Sequence, residues 1–116
     1  MAVFNERGAT RALGGIPPDA FSIFLYHAPD LILNAASQNV DLYCAGHTHG
    51  GQVALPGYGA IVTFSKFGKK YEAGLYREKK TFLYVNRGIG MDGGYRPRVR
   101  FWARPELTII DVVPSS

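Results

Sequence analysis

Phe21-Ser22-Ile23-Phe24-Leu25-Tyr26-His27-Ala28-Pro29-Asp30 and Asp41-Leu42-Tyr43-Cys44-Ala45-Gly46-His47-Thr48-His49-Gly50-Gly51-Gln52 are the two stretches that set the architecture. Each opens on a short apolar run and passes into a histidine. Continuous apolar runs of this length, rich in aromatic or β-branched side chains, predict buried strands. Pro29 suits a first helical turn, where its missing N–H has no partner to lose. Leu31-Ile32-Leu33 and Ala35-Ala36 then predict a short helix reaching Gln38. Strand, helix and strand in so short a span predict a βαβ-like unit with a parallel strand pair.

Outward from this unit the signals thin. Met1 to Gly15 carry no clear period; Ala9 to Leu13 read as the end of a helix with Gly14 as its stop. Ile16-Pro17-Pro18-Asp19 is an extended lead-in, since proline pushes its predecessor out of the helical region. Downstream, Gln52 to Leu55 predict a short strand before Pro56-Gly57. Tyr71 to Tyr76 and Thr81 to Asn86 flank Arg77-Glu78-Lys79-Lys80, which has the look of a hairpin turn. Gly88-Ile89-Gly90 and Gly93-Gly94 form a glycine-rich loop, and Leu107 to Val113 predict a last apolar strand. The first half reads α/β and the second half β.

Composition bounds the rest. At 116 residues the chain is one domain or a piece of one. Its 47% apolar content and 13% aromatic content suit a packed core rather than a disordered chain. No apolar run approaches the ~20 residues of a membrane span. Met1 to Gly15 lack a signal-peptide core. Cys44, the one cysteine, excludes an internal disulfide, and its apolar neighbours mark it as a small buried hydrophobe. The net charge of +4 suits an anionic partner without naming one.

The chemistry concentrates in the three histidines, His27, His47 and His49, which all follow predicted strands. Open α/β sheets bind ligands at the carboxyl ends of strands, and neutral imidazole is the commonest metal ligand. In extended backbone, residues two apart point to the same side, roughly 6.5 to 7 Å apart. Paired hydrolytic metals lie roughly 3.5 to 4 Å apart. His47 and His49 could therefore each hold one metal of a pair, with Thr48 directed away and His27 adding a ligand from the neighbouring strand. Alone, His27 reads as an ordinary strand-end histidine; the joint pattern turns the reading to ligands. Asp30 fits the favourable first turn of a helix better than a metal shell, and Gln52 reads as structural or as support for a ligand.

His27-Ala28-Pro29-Asp30 together with Gly46-His47-Thr48-His49-Gly50-Gly51-Gln52 resembles the last two motifs of the calcineurin-like metallophosphoesterases, in the bacterial branch that writes Gly-His-Thr-His-Gly-Gly-Gln. Val85-Asn86-Arg87-Gly88-Ile89-Gly90 and Arg104-Pro105-Glu106 look like the same branch's C-terminal end. The resemblance implies a four-layer α/β/β/α sandwich with mixed sheets. Residues 16–116 would form the C-terminal half of that domain, and residues 1–15 a lead-in from the other half. It implies a phosphomonoesterase or phosphodiesterase using two divalent metal ions, Mn, Fe, Zn or Mg, that activate a hydroxide. His27 and His47 would ligate the second metal and His49 the first. Arg87 and Gly88 would face the substrate, a phosphorylated small molecule or lipid. The parent would be cytoplasmic or associated with the cell envelope.

The family's early motifs, Asp-x-His, Gly-Asp-x-x-Asp and Gly-Asn-His-Asp/Glu, do not occur in this chain. The bridging carboxylate and the asparagine ligand are missing with them, and three imidazoles alone do not offset the charge of two dications. The chain is therefore expected to hold at most one weakly bound ion, a Zn²⁺-like ion on three histidines and water, and to be inactive alone. Half a sandwich should also expose an apolar sheet face and self-associate.

A reading from a different class is a non-catalytic basic β-rich module that binds nucleic acid or another polyanion. Arg96, Arg98, Arg100 and Arg104 alternate with Pro97, Val99 and Phe101, near Tyr95 and Trp102. Basic residues interleaved with aromatics suit single strands. The same row reads first as a solvated strand face and, second to that, as an anion-attracting rim for a phosphorylated substrate. This second reading leaves the clustered histidines unexplained.

Overall fold

The computed structural model describes residues 2–46, 54–55, 59–60, 68–90 and 104–115. Helix α1 spans Ala2–Leu13. Strand β1 (Ile23–Leu25) leads through a 3-10 turn at Pro29–Leu31 into helix α2 (Ile32–Ser37) and strand β2 (Leu42–Ala45). A small antiparallel pair follows, β3 (Ala54–Leu55) with β4 (Gly59–Ala60), then the hairpin β5 (Gly74–Glu78) and β6 (Thr81–Val85). The main sheet is mixed, in the order β1-β2-β6-β5. Strands β1, β2 and β6 run parallel, with Ile23 opposite Leu42 and Leu42 opposite Phe82, and β5 closes the sheet antiparallel to β6. The fold is α/β with few helices, and the predicted parallel pair across α2 is present.

The turn out of α2 is set by one side-chain preference. Asn39 N donates to Ala36 O and Val40 N to Ala35 O, both at 3.2 Å. This double closure needs a left-handed residue just past the helix. Asn39 takes it at φ 56°, a conformation asparagine tolerates better than most residues. The chain reverses there, so Val40 is fully buried and Asp41 enters β2. Asp41 then accepts from Ser22 N at 2.8 Å and Ser22 Oγ at 2.9 Å, which pins the starts of the two parallel strands together.

Helix α1 ends at Leu13, just before Gly14, where the sequence predicted a helix end, and reaches back to Ala2 through residues in which the sequence shows no clear period. The reason is that its buried stripe is short. Ala9 and Leu13, one turn apart, are buried against α2, and Asn34 Nδ2 donates to Thr10 Oγ1 at 2.8 Å. Among the side chains described, this single pair of anchoring positions leaves little periodicity to detect. The expected last strand also differs. Among the described residues, 107–113 form no strand, and Leu107 and Ile109 are almost wholly exposed.

One face of the sheet is the core. Tyr43, Ala45, Leu83 and Val85 pack beneath Leu31, Ile32 and Ala35 of the helical layer, with Tyr71 sealing the hairpin end. Burial alternates along β6, as a half-covered strand requires. The opposite face carries Ile23, Leu25, Leu75 and Phe82, all exposed, with Cys44 between them. Among the described residues nothing covers these positions as the helices cover the other side. The apolar exposure expected of half a sandwich is there.

The β5–β6 hairpin turns in two residues, and Lys79 sits at φ 54°. A left-handed L-residue costs roughly 1–2 kcal/mol, and glycine forfeits about half of the gain through its freer unfolded chain. Lys79→Gly should therefore raise stability by about 0.5–1 kcal/mol, read as a higher urea midpoint at unchanged slope. The Arg77 Nε bond to the residue 79 carbonyl, 3.1 Å, involves no side chain at 79 and survives the change.

Candidate functional site

The parallel strands deliver their carboxyl ends to one edge. There the ladder continues beyond the strands: Tyr26 N donates to Cys44 O at 3.2 Å, Gly46 N to His27 O at 3.0 Å, and Asn86 N to Ala45 O at 2.8 Å. His27, Gly46 and Asn86 are thus backbone neighbours on three adjacent strand ends. His27 is exposed, at the mouth of the edge, while Ala28 and Pro29 behind it are buried. Tyr43 O–H donates to the Ala28 carbonyl and fixes the peptide after His27 from below. Burial pushes the Tyr43 hydroxyl's pKa far up, so it stays a donor.

Gly46 does not owe its glycine to crowding from these neighbours. A Cβ there would stand 3.7 Å from Asn86 O and 3.9 Å from His27 O, ordinary contacts. Asp30 lies in the first turn of the 3-10 segment, where exposed peptide N–H groups favour a carboxylate. Cys44 is half-buried on the open face, and burial pushes its thiol pKa up, away from the reactive thiolate.

Arg87 and Gly88 extend this edge from the end of β6. Gly88 takes φ +67°, and its N–H donates to Asn86 Oδ1 at 2.6 Å, closing a tight turn. The tail then crosses it. Glu106 N donates to Gly88 O at 3.0 Å, and the Glu106 carboxylate accepts from Arg87 Nε at 2.8 Å, from Thr108 Oγ1 at 2.7 Å and from Tyr84 O–H. Asn86 Nδ2 reaches Thr108 Oγ1 at 3.0 Å. The family resemblance implied that Arg87 and Gly88 face substrate, but sequence reasoning gave no role to Glu106, Tyr84 or Thr108. The only signal was Arg104-Pro105-Glu106, noted as part of the resemblance; contacts across such a separation leave no periodic trace.

Glu106 is partly buried, which raises its pKa. The hydrogen bonds from Tyr84, Thr108 and Arg87 outweigh that and bring it down to about 2. A lowered carboxyl pKa stabilises the fold above the unfolded value of 4.5, and the contribution disappears as pH falls through about 2. The stability difference between the wild type and Glu106→Gln should therefore be constant at neutral pH and shrink across that acid window. Acid titration of urea midpoints measures it.

His47, His49 and Gln52 lie outside the described residues, as do Arg96, Arg98 and Arg100; Arg104 is described and exposed. Among the described residues no three His, Cys, Asp or Glu side chains gather about one point. His27 is the one histidine described, and imidazole nitrogen is chemically suited to a borderline dication. A groove of about 640 Å³ lies at the opposite edge, lined by Pro17, Pro18, Phe21, Asp41 and Lys80 among others, and holds no histidine. No described helix is long and apolar enough to cross a membrane.

The chain is 48% identical over 89 residues to an uncharacterized metallophosphoesterase, YkuE, of Bacillus subtilis, with 77% of this chain and 30% of that protein covered. The chain belongs to the metallophosphoesterase family. It is also 34% identical over 91 residues to the phosphodiesterase YaeI of Escherichia coli, across 78% of this chain and 32% of the relative. A UDP-2,3-diacylglucosamine pyrophosphatase, LpxG, of Chlamydia muridarum is 33% identical over 107 residues, across 86% and 31%. This metallophosphoesterase chain thus spans about a third of the length of the curated relatives it matches. No family profile and no solved structure matches it.

Proposed function

We propose that this chain is the histidine-bearing, C-terminal part of a metal-dependent phosphoesterase domain, with His27, His47 and His49 as ligands at the carboxyl edge of the parallel strands. One observation carries the reading. The residue that leads into His47-Thr48-His49 is hydrogen-bonded, Gly46 N to His27 O, to the residue bearing the third imidazole, in a chain whose relatives are named metallophosphoesterases. Three neutral imidazoles suit Mn, Fe or Zn, whereas Mg prefers oxygen ligands. When bound, such ions supply Lewis-acid neutralisation of charge on phosphoryl oxygens. The three histidines are this chain's share of the ligands, and Arg87 offers N–H donors to an anionic ester.

The substrate class is a phosphomonoester or phosphodiester on a small molecule or lipid. The lipid option rests on the name of the LpxG relative. The chain carries no Asp-x-His, Gly-Asp-x-x-Asp or Gly-Asn-His-Asp/Glu motif, so the carboxylate ligands come from sequence outside it. Alone it holds at most one ion, weakly, and does not turn over substrate. Calorimetric titration with Zn²⁺, paired with a Mn²⁺ assay on bis(p-nitrophenyl) phosphate, tests both halves. One saturable ion without turnover is the expected pair of results. Absence of saturable binding, or turnover that His47→Ala abolishes, overturns the corresponding half.

A further inference from the structure

We propose that Glu106 is a positioning residue for Arg87, holding its guanidinium in one orientation at the His27 edge so that it meets a phosphoryl oxygen ready-aligned. The proposal rests on the phosphoesterase reading and adds to it a residue from the chain's tail.

Glu106 and Thr108 differ from the rest of their segment in being partly buried. Pro105 and Leu107 on either side are exposed, while Glu106 turns back to the end of β6 and is partly buried. Its backbone and side chain both engage the same short turn. Its N–H bonds Gly88 O, and its carboxylate bonds Arg87 Nε at 2.8 Å and lies 3.5 Å from Arg87 N. Tyr84 and Thr108 occupy its other oxygen. A carboxylate anchoring a tail would need one cation. This one is itself held by two hydroxyls, so its own rotamer is fixed before it meets Arg87. Burial, and then the bond to Glu106, push the Tyr84 hydroxyl pKa up, which keeps it a donor to the carboxylate.

The consequence lies with arginine's geometry. Guanidinium is planar and carries five N–H donors in a rigid fork. A carboxylate on Nε fixes the plane, and with it the directions of the Nη donors. Arg87 follows Asn86, which is hydrogen-bonded to Ala45, whose successor Gly46 is bonded to His27. Two strand spacings, roughly 10 Å, separate the backbones of residues 27 and 87. That distance lets an imidazole and an arginine side chain approach one phosphate from two sides. An arginine already oriented loses little freedom when it binds, so its affinity comes from geometry as well as charge.

Side-chain arginine NMR on the whole chain, titrated with inorganic phosphate, tests this. In the wild type the Arg87 Nε–H should give a separate, exchange-protected signal that shifts saturably with phosphate. Glu106→Gln should merge that signal with those of exposed arginines and raise the half-saturating phosphate concentration about tenfold. Tyr84→Phe, which removes one support and leaves the ion pair, should keep the signal and stay within about twofold. If Glu106→Gln fails to fold, Arg87→Lys replaces it, since it keeps the charge and loses the fork; the same loss is expected. An Arg87 signal indifferent to phosphate overturns the proposal, as does unchanged affinity in Glu106→Gln or in Arg87→Lys. A parallel Zn²⁺ titration of the His27 ring signals reports on the metal reading separately, and Glu106→Gln should leave it unmoved.

Discussion

His27→Ala is expected to remove saturable divalent-metal binding from this chain. Losing a group that merely orients a ligand weakens metal affinity by about ten- to a hundredfold. Loss of a ligand itself should exceed that, by at least about a hundredfold, and carry a weak site below detection. The position makes the substitution clean. His27 is exposed at the end of β1, and the backbone bond that joins it to Gly46 uses its carbonyl rather than its ring. The fold should therefore survive. Zn²⁺ titration by calorimetry reads the loss, and a far-ultraviolet spectrum matching the wild type shows that the chain still folds. Binding that persists at wild-type strength would detach His27 from the centre.

Leu83→Ala should be the most damaging substitution for stability. Leu83 is fully buried on the helix-covered face of β6. Truncating a buried leucine costs about 2–5 kcal/mol, with the upper part of the range where the surroundings cannot collapse. Here the neighbours are Tyr43, Val85 and the helical layer. Against a total of roughly 5–15 kcal/mol for ordinary domains, and with one sheet face open, the variant should lose most of its cooperative transition. Leu75→Ala is the matched control. Leu75 pairs with Tyr84 in the same sheet but is 63% exposed on the opposite face, and its truncation should cost less than about 1 kcal/mol. Urea denaturation followed by circular dichroism separates the two. Equal losses would mean that the open face is covered in solution.

These leucines show where sequence reading stops. Both lie in apolar, strand-like runs with the same local signal. Which one is core depends on which side of the sheet α2 crosses, and no local pattern encodes that. The βαβ unit was legible because its cues are local: two apolar runs, Pro29 at a helix start and a helix too short to go elsewhere. The stop of α2 was placed correctly at Gln38, though its cause, Asn39 in the left-handed region, emerges only from backbone angles. The strand expected at Leu107 to Val113 has suitable composition, but a strand needs a neighbour to bond with, and among the described residues it has none. Glu106 went unread for a related reason. Its partners, Tyr84, Arg87 and Thr108, are brought together by chain crossing, and a lone glutamate in a tail otherwise signals a solvated charge.

The residue order alone was enough to place three imidazoles after short apolar strands, to pair two of those strands in parallel and to name the family. Local spacing and side-chain chemistry carry the strands and their pairing; the family rests on the likeness of the two histidine motifs to known ones. Three-dimensional packing settled the rest: a sheet buried on one face with Ile23, Leu25, Leu75 and Phe82 left exposed on the other, a tail carboxylate clasping Arg87, and His27 bonded through its backbone to the residue before His47. Each of those links residues far apart in the chain, and contact between distant residues is a property of how the chain closes on itself.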